Sequence, residues 1–173
     1  MKRQTIMLVD GYNIIGDWPE LQRLKQRNLG LARDHLIDRM IAYQAQTKKR
    51  VIIVFDAHMQ EGMEHREKKD AIEIVFTQEN ETADERIEKL VSELQNRRTT
   101  IEVATSDATE QWVTFGKGAS RKSARELELE LDHMERTVSS RVRKMEKQPH
   151  RLTTVDRIDA VTAAKLERIR RGL

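Results

Sequence analysis

Leu8-Val9-Asp10-Gly11-Tyr12-Asn13-Ile14-Ile15 is the stretch on which the reading of this chain turns. It completes an unbroken apolar run, Thr5 to Val9, that is rich in β-branched residues and then stops on an aspartate. A run of this kind suits a strand covered on both faces. Gly11 then permits a tight backbone turn, and Asn13 brings a second oxygen-bearing side chain to the same edge. An acid at the end of a buried strand, followed by glycine and asparagine, points to a site, and Asp10 is its first candidate residue.

Working outward, Val51 to Phe55 (VIIVF) repeats the pattern, so both runs read as central parallel strands. Ala71 to Phe76 (AIEIVF) and Thr100 to Thr105 (TIEVAT) alternate more, which suggests two further strands, the last nearer an edge. Helical stripes separate them: Leu31, Leu36, Ile37, Met40 and Ile41 in one segment, and Ile87, Leu90, Val91 and Leu94 in another. Alternation of strand and helix predicts an α/β fold, a mainly parallel sheet with crossover helices on both faces. In such folds ligands bind at the carboxyl ends of the strands. Beyond Thr109 the character changes. Leu127, Leu131, Met134, Val138, Val142 and Met145 mark a long charged helix ending near Gln148-Pro149, and a final amphipathic segment carries Val155, Ile158, Val161, Leu166 and Ile169.

Acids recur at the predicted strand ends. Asp56 follows the second strand, Asp107 the fourth, and Asp84 opens the helix after the third. Clustered carboxylates repel one another unless a cation joins them, and hard oxygen donors suit Mg²⁺ or Mn²⁺. Such a centre supports phosphodiester hydrolysis without a covalent nucleophile. Each acid also has a structural alternative. Thr82 and Glu85 around Asp84 fit a capping box, Asp107 with Glu110 fits a relative of it, and Asp56 fits a strand-to-loop turn.

Composition narrows the classes. With 173 residues, 38% of them hydrophobic, the chain can bury one core with a helical extension. It has no cysteine, so disulfides, thiolate metal sites and a cysteine nucleophile are excluded. The five histidines, His35, His58, His65, His133 and His150, lack zinc-site spacing and read as surface residues. No phosphate-loop motif occurs. The apolar runs are too short for a secretory signal or a membrane span, which predicts a cytoplasmic protein. The net charge of +3 is uneven, with 17 basic against 12 acidic residues over 97–173 and 15 against 17 before them. Gly116 to Arg125, GKGASRKSAR, contains Lys117, Arg121, Lys122 and Arg125 and no acid, and Ser123 can cap the helix that follows. It reads either as a grip on phosphates or as a solvated loop. Trp18, Tyr12 and Trp112 are the large aromatics near the strand-end edge that could stack on a base.

Taken together, LVDGYNII, VIIVFDA, ETADERIEKL, EVATSD and GKGASRKSARELE resemble, in order and spacing, the YacP-like NYN-domain family. The resemblance implies a three-layer fold like that of PIN-domain nucleases over residues 1–147, long helix included, with a helical tail at 148–173. It also implies an endoribonuclease acting on single-stranded RNA, associated with the ribosome and with mRNA decay. Mapped onto this chain, it makes Asp10, Asp84 and Asp107 the acidic metal ligands, with Asp56 a further one and Asn13 completing the catalytic set. It also sets the basic segment beside the RNA with Arg121 and Arg125 among the contacts, and Lys117 and Lys122 of the same segment complete the expected RNA-binding set. Two other readings stay open: a non-catalytic RNA- or ribosome-binding module, and a phosphatase or phospho-acceptor domain, the latter weakened because no DxD follows the first strand.

Overall fold

The structure, a computed structural model, describes residues 3–57, 72–107 and 118–147, the backbone of 65–69, and residues 162, 164–170 and 172. The expected strands form as β1 (Gln4–Asp10), β2 (Arg50–Phe55), β4 (Ile72–Phe76) and β5 (Thr99–Ala104). Two more flank them, β3 (His65–Lys69) and β6 (Ser120–Lys122), giving the order β3-β4-β2-β1-β5-β6. All neighbours run parallel except β3, which is antiparallel to β4. The added strands are the two edges, and their sequences, HREKK and SRK, have no apolar alternation to announce them. Charged edges are common because an edge must not invite a further strand. Part of the basic segment expected as a loop is therefore β6, and β5 is one strand in from the edge.

The helices are α1 (Gly11–Asp17), α2 (Pro19–Arg27), α3 (Leu29–Thr47), α4 (Ala83–Leu94) and α5 (Ala124–Lys147). The two-residue period of the strands sorts their side chains between two cores. Met7, Val9, Val51, Ile53, Phe55, Ile74 and Ala104 face α1, α2, α3 and the start of α5. Ile6, Leu8, Ile52, Val54, Val75, Ile101 and Val103 face α4. The result is the expected three-layer α/β arrangement. Burying a side chain such as Phe55, fully covered here, contributes about 1.5–3 kcal/mol.

Short α1 and α2 precede α3 where no helix was expected. The buried stripe of α3 also differs from the sequence reading: Ala32, Leu36, Ile37, Met40 and Tyr43 point inward, whereas Leu31 is 50% exposed. One residue's rotation on a helix is about 100°, which takes Leu31 off the face that Ala32 occupies. Two of the three capping predictions hold, and the third, Asp107 with Glu110, falls on a residue outside those described. Thr82 and Glu85 form the reciprocal box at α4, and Ser123 and Glu126 exchange backbone bonds at α5, at 2.6 and 3.1 Å.

The chain comprises two units, Met1–Met134 and Glu135–Leu173, so the division falls inside α5. In the first, Leu127 and Leu131 are buried; in the second, Val138, Val142 and Met145 are exposed, and backbone 164–170 is helical. No described helix is long and apolar enough to cross a membrane.

Candidate functional site

From β1 the chain moves outward to β2 and β4, then returns through α4 to β5 on the opposite side of β1. The carboxyl ends of β1 and β5 therefore flank a topological switch point, where the loops above a parallel sheet part and leave a crevice. Register places Val9 beside Ala104 and Asp10 beside Val54, so Asp10 leaves the sheet level with the ends of both neighbours. It is 7% exposed and caps α1, its carboxylate accepting the Asn13 N–H at 3.4 Å.

Asn13 then spans the switch. Its Oδ1 accepts the Ser106 N–H at 2.7 Å, although the two residues are 93 apart in sequence. The β5 end is tied down further: the Asp107 N–H donates to Thr105 Oγ1 at 3.1 Å, the Thr105 N–H to the Lys122 carbonyl at 3.1 Å, and the Ala124 N–H to Ser106 Oγ at 3.3 Å. Asp107 is half-buried on this fastened turn. On the other side, half-buried Asp56 follows Phe55, where the Ala57 N–H donates to Thr77 Oγ1 at 2.9 Å and the Thr77 N–H to the Phe55 carbonyl at 3.0 Å.

Asp84 occupies the first turn of α4, entered from the carboxyl end of β4. The turn leading to it is held by Glu81, a residue the sequence reading passed over. Glu81 is 4% exposed and pairs with Arg86 at 2.9 Å and Lys89 at 2.6 Å while accepting the Gln78 N–H at 3.3 Å. Burial by itself raises a carboxyl pKa, but the bonds from Lys89, the Gln78 N–H and Arg86 together outweigh it and hold Glu81 below its ordinary value.

The sequence-predicted acids thus divide. Asp10, Asn13, Asp56 and Asp107 stand at the ends of three adjacent strands, and Asp84 at a helix start reached from the fourth. Among the described residues no three or more His, Asp or Glu side chains are gathered into a metal cage. The basic residues divide too. Arg121 and Arg125 are exposed, and Arg125 pairs with Glu128 at 2.7 Å. Lys122 instead turns into a polar cluster, bonded to Glu130 and 4.0 Å from Glu102. Lys49 reaches Glu102 at 2.8 Å in the same cluster, and the Tyr43 hydroxyl donates to Glu130 at 3.2 Å. Burial, reinforced by Glu130 and Glu102 against the opposing charge of Lys122, pushes the Tyr43 phenol far above its ordinary pKa, so it stays a donor. Lys117, His58 and Trp112 lie outside the described residues.

Two residues have roles other than the ones expected of them. Trp18 is 1% exposed; its indole N–H donates to the Ala124 carbonyl at 2.8 Å and its ring lies under the Arg39 guanidinium at 5.1 Å, so it seats α5 rather than offering a stacking surface. Gly11 is the first residue of α1, not a left-handed turn. A Cβ there would overlap Cε1 and Cδ1 of the Phe55 ring, so glycine is required by space. Tyr12, by contrast, is half-buried at the edge, its ring 5.1 Å from that of Phe55, which in turn stacks on Phe76 at 5.6 Å.

This arrangement has known counterparts. The chain is 56% identical over 140 residues to the Bacillus subtilis (strain 168) protein named uncharacterized protein YacP, covering 81% of this chain and 82% of that one. Two crystal structures of Rae1 (YacP) from Bacillus subtilis superimpose on it. One, of a mutant with a single tryptophan replaced by leucine, gives a TM-score of 0.76 at 52% identity over 85% of this chain and 87% of that one. The other gives 0.73 at 50% identity over 96% and 95%. The profile of the YacP-like NYN domain, a nuclease-superfamily domain of PIN-like fold, matches residues 7–171. This chain, with its switch-point aspartate and parallel sheet, belongs to the YacP-like NYN family.

Proposed function

We propose that the protein is a divalent-metal-dependent endoribonuclease that hydrolyses phosphodiester bonds in single-stranded RNA, acting on mRNA at the ribosome. The observation that supports this reading is the position of Asp10, Asp56 and Asp107 at the carboxyl ends of three adjacent strands of a nuclease-family sheet, with exposed Arg121 and Arg125 on the flank beyond β5.

The donor set fits a hard cation, since the candidate ligands at the strand ends are carboxylates and no thiolate is present. Because no cage is preassembled among the described residues, the fit is to Mg²⁺ or Mn²⁺ in the manner typical of Mg²⁺, held by one or two carboxylates and completed by water and substrate phosphate. Asp10 and Asp84 would be the principal ligands, with Asp107 and Asp56 beside them. When bound, the ion lowers the pKa of its water, polarises the phosphoryl oxygens and offsets charge on the leaving oxygen.

The chain's own residues do the rest. Asn13 fixes the β5 turn relative to α1, which sets the position of Asp107 relative to Asp10. Arg121 and Arg125 hold backbone phosphates, with Lys117 in the same segment, while Lys122 fixes the end of β6, which presents Arg121 and leads into the helix that carries Arg125. In the reaction water oxygen bonds to phosphorus, the bond to the leaving ribose oxygen breaks, and that oxygen regains a proton.

The test is cleavage of single-stranded RNA by purified protein, alone and with ribosomes, in Mg²⁺, in Mn²⁺ and in chelator. Wild type should cut only with metal, and Asp10→Asn or Asp84→Asn should lose at least a hundredfold in rate. Equal cleavage by all three proteins would sink the site assignment. Salt-dependent RNA binding without cleavage, on ribosomes as well as off them, would establish a binding module instead.

A further inference from the structure

Among the described residues, Arg33 is a cation without an acid. It lies in the second turn of α3, half-buried, and its Nη1 donates to the Tyr12 hydroxyl at 3.2 Å. No described carboxylate pairs with it, whereas Arg39, Arg50, Arg86 and Arg125 each have one at 2.6–2.9 Å. A guanidinium that gives up part of its hydration without a counter-charge is disfavoured unless an anion visits it.

Its place matters as much as its charge. Tyr12 is two residues past Asp10, and its ring packs on Phe55, the residue before Asp56. The hydroxyl therefore holds Arg33 on the β2 side of Asp10, opposite Arg121 and Arg125, which lie beyond β5. With Nη1 engaged by Tyr12, the Nε–Nη2 edge is left, the fork whose two parallel donors match two oxygens of one phosphate.

We propose that Arg33 binds a backbone phosphate of the RNA strand and that Tyr12 positions it. The strand is then gripped on both sides of Asp10, by Arg33 on one and by Arg121 and Arg125 on the other. This rests on the ribonuclease reading above and adds to it a phosphate site on the α3 side.

The experiment uses the full chain carrying Asp10→Asn, to prevent cleavage, and a fluorescent single-stranded oligoribonucleotide titrated over a range of salt concentrations. Arg33→Ala should weaken binding about tenfold and flatten the slope of log affinity against log salt by about 0.7, the loss of one single-strand phosphate contact. Arg33→Lys should keep the slope while recovering only part of the affinity, because an ammonium retains the charge without the fork. Tyr12→Phe should cost about threefold alone and nothing further when added to Arg33→Ala, since it acts through Arg33. Arg33→Gln supplies the same test if the alanine variant melts early. Parental affinity and slope in both neutral variants would overturn the Arg33 site and leave the ribonuclease reading standing. A parental protein that binds no RNA, with wild type cutting none, would remove both.

Discussion

Gly11 and Glu81 illustrate how single residues set this site. The Phe55 ring occupies the space where a side chain at position 11 would stand. Gly11→Ala is therefore expected to destabilise the fold by about 1–3 kcal/mol, the usual cost of overpacking, and to displace Asp10, the neighbouring residue. Urea unfolding would read the first effect and RNA cleavage the second. That demand was invisible in the sequence, where a glycine after a strand-end aspartate looks like a turn, because Phe55 is distant in the chain. Glu81 makes a different prediction. Its pKa is lowered in the folded state, so its contribution to stability is present above the usual carboxylate value of 4.5 and is lost as the pH falls through the lower, folded value. Glu81→Gln should cost about 3 kcal/mol at pH 7 by removing the buried carboxylate that pairs with Arg86 and Lys89. The gap from wild type should close below pH 4.5; a constant gap down to about pH 2 would show that charge is not the cause.

Between elements, the capping boxes were legible because they are local: four consecutive residues contain the whole device. Thr82→Ala or Ser123→Ala should each cost about 1 kcal/mol in thermal or denaturant unfolding, with little effect on the opposite helix. Contacts made across the sheet were not legible. Nothing in the composition of α1 announces that Asn13 will bond Ser106, or that Trp18 will seat the start of α5 through Ala124. Asn13→Ala should lower cleavage at least tenfold while costing only about 1 kcal/mol of stability, the scale of one lost hydrogen bond. A stability loss large enough to account for the activity loss would make Asn13 a scaffold residue only. Edge strands β3 and β6 escaped reading because charge, not apolar alternation, defines their sequences.

At the scale of the molecule, the two apolar cores account for the sheet and the helices on both its faces without an ion. Chelator should therefore abolish cleavage yet shift the thermal midpoint by only a few degrees, the modest effect of losing a ligand of the native state. A collapse of the midpoint would make the ion structural. Central strands and the α/β class were readable because continuous β-branched runs can be satisfied in few other ways. The strand-end acids followed from the class, since parallel strands deliver their carboxyl ends to one edge of the sheet. The place of Asp84 was less readable, because it reaches that edge in the first turn of a helix and not at a strand end.

The bond between Asn13 and Ser106 has a consequence in time as well as in space. During synthesis the first aspartate leaves the ribosome long before the turn that completes its surroundings, and the strand that carries that turn must pair beside β1 before Asn13 has anything to hold. Distant pairings of this kind form late. A chain still being translated thus carries Asp10 before the β5 turn that Asn13 holds exists, so the strand-end edge is completed only once β5 has emerged and paired with β1.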